Sequence, residues 1–175
     1  MLKERAQLSR ITAGRKAQSK GALFESMIEH TCKEYERKGL AHIQKTPEPT
    51  RYIRPYGKNG QFIAHFIKQA QPDFKGVLKG GKSVLFEAKR TEGTSIPKNK
   101  VSDAQLDNLR MADSLGAECF ILVSFKEKKF YKVPYGIWEQ IETIYEKKSL
   151  NEKDLKPFEV PYVNGRIAFL KEEKK

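Results

Sequence analysis

Residues 72–89 constrain the fold of this chain more than any other stretch. Two apolar runs, 74–78 and 83–88, flank the pair Gly80-Gly81. Glycines between two strand-like runs are typical of tight hairpin turns, because glycine adopts positive φ at little cost. The stretch therefore predicts two antiparallel strands joined by a short turn.

The second predicted strand carries two charged side chains on one face. Successive side chains of a strand point to opposite faces, so Glu87 and Lys89 are neighbours, and the returning hairpin can bring Asp73 beside Glu87. Two carboxylates at that distance repel unless a cation lies between them, and Mg²⁺ prefers such oxygen ligands. A metal there would polarise a phosphate and activate a water. Lys89 would either orient that water or neutralise negative charge on the phosphate. The arrangement indicates phosphodiester hydrolysis.

The same letters have a simpler interpretation, because a Glu-x-Lys pair on a strand is often a solvated ion pair. A catalytic site is favoured by the combination of Pro72-Asp73, a hairpin, and Glu87-Ala88-Lys89 at the end of an apolar strand. In this form the stretch resembles the PD-(D/E)xK nuclease motif.

Charge and length narrow the class of protein. The 175 residues suit one domain, and 34 Lys and Arg against 22 Asp and Glu give a net charge of +12. This balance favours a polyanionic partner, nucleic acid before membrane. Cys32 and Cys119 are too few and too separated for a disulfide framework or a zinc site, so we expect buried free thiols. Without an apolar run of membrane-spanning length or a signal peptide, we expect a cytoplasmic protein.

The ends of the chain differ from its middle. Residues 1–20 form a predicted flexible basic arm that includes Arg15 and Lys16, and either phosphate contact or solubility explains its charge equally well. Residues 21–170 are expected to form a single domain, and residues 171–175 to fray.

Residues 51–71 contain no acidic residue. Basic and aromatic side chains alternate there, and residues 57–60 form a predicted turn between two extended halves. Basic groups meet phosphates while aromatic faces stack on unpaired bases. Packing of the hairpin onto the domain would explain the aromatic residues but not the missing acids, so we favour DNA contact by a projecting hairpin, residues 51–67. Its predicted DNA-binding residues are Arg51, Tyr52, Arg54, Tyr56, Lys58, Phe62, Phe66 and Lys68.

The remaining elements complete an α/β (or α+β) fold. We expect a helix over 22–38, a half-exposed strand over 39–45, a polar loop over 90–100 that could cover a substrate, and a buried strand over 117–125. A third helix follows, which opens at Pro134, has its apolar stripe over 137–145 and ends at Lys147-Lys148. One further turn capped by Ser149 and two strands around Asn164-Gly165 complete the order. A mixed central sheet flanked by helices accommodates this order.

Two further side chains are candidates for the site. Glu25 falls at the margin of the buried stripe of the first helix, where a carboxylate either reaches a metal or faces water. Gln105 follows Ser102 at the spacing of a capping box that opens the second helix. His42 lacks a ligand-spaced partner and is interpreted as an ordinary strand residue.

Several motifs in order resemble those of RecU-type Holliday junction resolvases. They are G-x-x-F-E at 21–25, K-T-P-x-P at 45–49, PDFKGV, FEAK, S-x-P at 95–97, D-x-Q before the second helix, and the terminal GRIAFL. One departure is the position of a histidine that family members often place shortly before the Gln. Here Ser102 or Asp103 stands instead.

The resemblance implies a restriction-endonuclease-like core and a homodimer that cuts four-way DNA junctions symmetrically with Mg²⁺ or Mn²⁺. It implies that Asp73 and Glu87 are metal ligands, that Lys89 is the catalytic base or a charge stabiliser, and that Glu25 and Gln105 are supporting residues. For Gln105 a role in catalysis and a role in capping the helix have equal weight. The resemblance also implies that the hairpin is a stalk that enters the junction. Recombinase or branch-migration proteins are candidate partners. Two alternatives stay open: another PD-(D/E)xK nuclease of restriction or flap type, and a non-catalytic DNA-binding accessory protein.

Overall fold

The computed structural model of this chain describes residues 21–47, 49–66 and 71–170. The predicted basic arm with Arg15 and Lys16, the tail 171–175, Lys68 and the side chain of Phe66 lie outside the described residues.

Helices and short strands alternate along the described chain. Residues 21–37 are helical and are called α1. The other helices are α2 (Asp103–Ser114), α3 (Tyr135–Glu139) and α4 (Ile141–Tyr145), with 3₁₀ turns at Lys98–Lys100 and Lys156–Phe158. The strands are β1 (Ala41–Lys45), β2 (Thr50–Pro55), β3 (Phe62–Phe66), β4 (Phe74–Leu78), β5 (Ser83–Thr91), β6 (Ser95–Pro97), β7 (Glu118–Phe125), β8 (Lys129–Pro134), β9 (Ser149–Asn151), β10 (Glu159–Val160), β11 (Tyr162–Val163) and β12 (Arg166–Ile167).

Six of these strands form a mixed sheet in the order β1-β4-β5-β7-β8-β10. The pair β5–β7 is parallel, because α2 carries the chain back to the starting end of the sheet, and the other neighbours are antiparallel. Strands β2 and β3 form a separate two-stranded hairpin. The mixed sheet with helices on its faces confirms the predicted fold class.

Each face of the sheet has its own core. On one face α1 packs Phe24 and Ile28 over a stack of Phe74, Phe86 and Phe120, whose successive ring centroids lie 5.0 and 4.6 Å apart. On the other face α2 and α3 bury Leu106, Leu109 and Trp138 against alternate residues of β7. Burial of β7 on both faces explains its nearly continuous apolar sequence.

Close packing at the sheet edge depends on a glycine. A Cβ at Gly76 of β4 would lie 2.1 Å from the carbonyl oxygen of His42 on β1. The absence of a side chain therefore lets β1 approach the strand that follows Asp73, as antiparallel pairing of β1 with β4 requires.

Three local expectations were wrong. Residues 90–100 are not a loop: β5 runs to Thr91, and β6 pairs with β9 because Ile96 and Leu150 are both fully buried there. The third helix is divided at Gln140, whose φ of −96° and ψ of 18° interrupt the helix between α3 and α4. Ser149 begins β9 instead of capping another turn.

Other expectations are confirmed. The chain turns after α1 through Gly39 at a φ of 65°, and a capping box at Ser102 opens α2. Cys32 and Cys119 are buried free thiols, and burial raises their pKa to about 12 and about 11, respectively. None of the helices in the described ranges has the length and apolar character needed to cross a bilayer.

Candidate active site

The β4–β5 hairpin places the predicted acidic side chains side by side. Phe74 of β4 pairs with Phe86 of β5, so Asp73 lies next to the segment that carries Glu87. The backbone N–H of Ala88 donates to Asp73 Oδ2 at 2.9 Å. This bond holds the Asp73 carboxylate against β5.

Lys89 bridges the two carboxylates. Its Nζ donates to Glu87 Oε2 at 2.7 Å and to Asp73 Oδ2 at 3.3 Å. The Lys89 side chain is 13% exposed and that of Glu87 is completely buried. Two acids and one ammonium thus form a compact cluster in which charge repulsion between the acids is partly compensated.

Burial governs the electrostatics of this cluster. Burial, followed by the nearby charge of Asp73, raises the pKa of Glu87 to about 7, although Lys89 acts in the opposite direction. Burial alone would lower the pKa of Lys89, but Asp73 and Glu87 outweigh it and the net shift of the Lys89 pKa is upward. The protein therefore holds the Glu87 carboxylate at an energetic cost that a bound cation would reduce.

Gln105 joins the cluster from the first turn of α2. Its Nε2 donates to Glu87 Oε2 at 2.5 Å, while its Oε1 accepts the backbone N–H of Ser102 at 3.1 Å. The Ser102 hydroxyl in turn accepts the backbone N–H of Gln105 at 3.3 Å. Helix capping and contact with Glu87 are therefore simultaneous, because the two ends of one amide serve different partners.

The oxygen atoms of the cluster fit a hard divalent cation. Glu87 Oε2 is occupied by Lys89 and Gln105, whereas Glu87 Oε1 is buried and has no hydrogen-bond partner among the described residues. A buried carboxylate oxygen without a partner is costly unless an ion or water satisfies it. No group of three or more His, Cys, Asp and Glu side chains in the described part of the chain could hold a metal. An ion held by Asp73 and Glu87 would therefore keep several waters, as Mg²⁺ does.

Glu25 lies on a neighbouring element. It accepts a hydrogen bond from Lys45 Nζ at 2.7 Å, and Lys45 pairs with Phe74, the residue after Asp73. The contacts of Glu25 within the described ranges do not include Asp73 or Glu87. The structure thus brings Asp73, Glu87, Lys89 and Gln105 together. Glu25 lies outside this cluster, and its partner Lys45 is on β1 at the edge of the sheet.

The contact between Thr46 and Asp73 was not predicted. The backbone N–H of Thr46 donates to the Asp73 carbonyl oxygen at 2.9 Å, and the Thr46 hydroxyl is buried. This bond joins the end of β1 to the start of β4. The K-T-P segment, with a proline directly after Thr46, was the only signal that the position is structurally constrained.

The predicted stalk projects from this framework as the hairpin β2–β3. Gly57, Asn59 and Gly60 have positive φ at its tip, as its turn sequence predicts. Tyr52, Tyr56 and Phe62 are 58%, 61% and 56% exposed. These three side chains are therefore mostly exposed and are not buried against the described part of the domain. The basic side chains of Arg51, Arg54 and Lys58 are also exposed.

Comparison with known proteins places this architecture in a family. The model of the family described as Recombination protein U, RecU, matches residues 19–172. This chain belongs to the RecU family. A Holliday junction resolvase RecU of Staphylococcus aureus (strain JH9) is 29% identical over 164 residues, which cover 87% of this chain and 78% of the relative. The protein of the same name from strain MRSA252 has the same identity and coverage.

A solved structure from an archaeon also matches part of this chain. Hjc from Archaeoglobus fulgidus, a Holliday junction resolvase from an archaeal hyperthermophile, has 16% identity and a TM-score of 0.46, covering 78% of this chain and 93% of Hjc. The RecU match includes all four clustered side chains, since residues 73–105 lie well inside it.

Proposed function

We propose that this RecU-family protein is a Holliday junction resolvase, a metal-dependent endodeoxyribonuclease that makes paired symmetric nicks in four-way DNA junctions. The observation that carries the proposal is the cluster of Asp73, Glu87 and Lys89 in a chain of this family. Two carboxylates bridged by an ammonium are suited to hydrolysis of a phosphodiester, and the burial of these charges has a cost in free energy that packing alone does not explain. Such an enzyme acts on DNA in the cytoplasm.

Asp73 and Glu87 are the residues that would hold the cofactor, Mg²⁺ with Mn²⁺ as a substitute. When bound, such an ion polarises the phosphate and lowers the pKa of a coordinated water. The buried, unpartnered Oε1 of Glu87 supports this assignment.

The other side chains would position the acids and stabilise charge. Lys89 donates hydrogen bonds to both carboxylates, so we assign it the stabilisation of negative charge on the phosphate and not the role of base. Gln105 orients Glu87 by occupying Oε2 together with Lys89. Glu25, paired with Lys45, is assigned a supporting role at the edge of the site.

Symmetric cutting of a junction needs two identical sites. A homodimer with two-fold symmetry supplies them, and the two stalks would then enter the open centre of the junction. Exposed aromatic and basic side chains on β2–β3 suit unpaired bases and phosphates, respectively. Recombinase or branch-migration proteins are candidate partners of such an enzyme.

Incubation with a mobile four-way junction tests the proposed function directly. We expect paired nicks at symmetry-related positions with Mg²⁺, no nicks with EDTA, and little cutting of linear duplex of the same sequence. Equal cutting of junction and duplex would instead indicate a general nuclease. DNA binding without cutting by any divalent ion would indicate an accessory protein.

The stalk should determine substrate choice more than stability. Replacing residues 52–66 by a tight turn is expected to lower the preference for junction over duplex about tenfold or more, because each lost base–aromatic contact is worth about 1–3 kcal/mol. The melting temperature should change little, since β2 and β3 pair only with each other. Competition binding and thermal unfolding measure the two quantities. Tyr162→Ala, on another hairpin, is the control, and an unchanged preference in the shortened protein would refute the stalk role.

The two functions of Gln105 can be separated by substitution. Ser102→Ala weakens the cap and should cost about 1 kcal/mol of unfolding free energy with cleavage nearly unchanged. Gln105→Glu keeps an acceptor for the Ser102 N–H, loses the donor to Glu87, a bond worth about 2 kcal/mol, and adds a carboxylate that repels Glu87, so cleavage should fall about thirtyfold or more. Single-turnover cleavage and chemical denaturation would measure both. Equal cleavage by Gln105→Glu and the unsubstituted protein would reduce Gln105 to a capping residue.

A further inference from the structure

The turn between β7 and β8 has an unfavourable backbone for its sequence. Residues 126–128 join the two strands, and Lys126 and Glu127 have φ values of 55° and 52°. Two successive left-handed residues define the type I′ hairpin turn, which favours Asn-Gly because other side chains crowd the backbone. Lysine and glutamate are therefore poor choices for this turn if its only task is to reverse the chain.

Specific bonds hold this turn in place. Lys126 N–H donates to the Thr91 carbonyl at 3.0 Å, and Glu127 N–H donates to the hydroxyl of the buried Ser124 at 3.2 Å. Arg90 Nε donates to Glu127 Oε1 at 2.5 Å, and the side chains of Arg90 and Glu127 are only 13% and 15% exposed. The turn is thus anchored to β5, the strand that carries Glu87 and Lys89.

The turn lies at the same end of the sheet as the active site. Strands β5 and β7 are parallel, with Lys89 beside Val123 and Thr91 beside Phe125. The turn therefore starts three residues beyond the level of Lys89, roughly 10 Å along the strand direction. The tip of the β4–β5 hairpin, between Lys79 and Lys82, lies at the opposite end. A DNA strand at the active site would pass close to the β7–β8 turn and far from the hairpin tip.

The charges of the turn are arranged to leave cations free. Lys126 and Lys128 are exposed, and neither has an ion-pair partner among the described residues. The acid between them, Glu127, pairs with Arg90, which is shared with Glu92. The turn therefore presents two unpaired ammonium groups beside a site whose substrate would be a polyanion.

We propose that the β7–β8 turn is a DNA-backbone contact in which Lys126 and Lys128 bind phosphates of the duplex arm next to the cut. This inference rests on the proposed function of the same site and adds a contact surface distinct from the stalk. The Arg90–Glu127 pair serves it by holding the turn in place and by turning the Glu127 carboxylate toward Arg90. The backbone of a fixed turn loses little freedom on binding, which favours the contact.

The test compares two pairs of lysines at opposite ends of the sheet. The turn variant Lys126→Asn/Lys128→Gln lowers the positive charge by two, and Asn tolerates the left-handed backbone at position 126. The matched control, Lys79→Gln/Lys82→Gln, removes the same charge at the opposite end of the sheet. Affinity for a fluorescent four-way junction and for a linear duplex is measured in EDTA at several salt concentrations. We expect the turn variant to bind both about tenfold more weakly and its salt slope to fall by about two, with an unchanged or higher melting temperature.

Each outcome is decisive for the turn. An equal loss in both variants would mean a non-specific charge effect and would overturn the contact, as would unchanged binding by the turn variant. Lys128→Glu leaves both left-handed positions intact, so a loss of affinity there without unfolding supports the contact even if the double variant is unstable. Because the readout is binding, failure of the unsubstituted protein to cut junctions would refute the proposed function without affecting this result.

Discussion

Asp73→Asn and Glu87→Gln are each expected to reduce junction cleavage by about a thousandfold, because the lost metal ligand removes several kcal/mol of transition-state stabilisation, at about 1.4 kcal/mol per factor of ten. Each substitution keeps the size of the side chain and removes its charge. Junction affinity in EDTA should stay within about threefold, because most of it comes from phosphate contacts elsewhere. Single-turnover cleavage and fluorescence anisotropy measure the two effects.

Thermal unfolding gives a readout of the same site that does not depend on activity. Mg²⁺ should raise the melting temperature of the unsubstituted protein, since it would bind the folded state alone, and both variants should lose this increase. Without divalent ions, Glu87→Gln should unfold at a similar temperature, because it removes a fully buried charge but also the closer partner of Lys89, which keeps Asp73. Asp113→Asn, at an exposed position of α2, controls for charge alone. Cleavage at normal rates by either site variant would refute the metal assignment.

Local sequence pattern predicts the part of the site that lies on one hairpin. Gly80-Gly81 and the alternation in β5 determine which residues share a face, so the neighbourhood of Asp73, Glu87 and Lys89 follows from the order of the residues. The hydrogen bond from Ala88 to Asp73 does not, because it depends on how β4 and β5 are aligned at their open end. The role of each side chain in catalysis and metal binding stays a prediction.

Long-range contacts explain what local pattern does not show. Strands β6 and β9 have three residues each and are more than fifty positions apart, so neither has a periodicity that separates it from a loop. The spacing of Ser102 and Gln105 predicts the capping box, but the contact of Gln105 with Glu87 appears only when α2 is placed on the sheet. The charged residues after β7 indicate a turn, but its left-handed backbone has no local signal, since Lys-Glu does not favour positive φ.

Lys89→Met should give the second large effect, on stability as well as on cleavage. Lys89 is the cation that contacts both carboxylates of the cluster, at 2.7 and 3.3 Å. Its removal leaves a buried Glu87 next to Asp73 without compensation, and breaking such a buried pair costs about 3 kcal/mol. Cleavage should fall by about a hundredfold or more, as expected on loss of one preorganised charge-stabilising donor. Denaturation in EDTA and single-turnover cleavage in Mg²⁺ measure the two losses.

Lys89→Arg separates charge from geometry. The guanidinium restores a positive charge and therefore much of the stability, but its planar fork does not reproduce the position of a compact ammonium, so cleavage should stay low. Lys132→Met is the matched control: Lys132 pairs with Glu118 on the same sheet, but both side chains are partly exposed, and the loss should stay within about 1 kcal/mol. If Lys89→Met and Lys132→Met lost equal stability and neither lost cleavage, the ammonium at position 89 would be an ordinary ion-pair partner. A large loss at Lys89 alone would instead mean that the two carboxylates are kept close together by a cation that the hydrolytic reaction also needs.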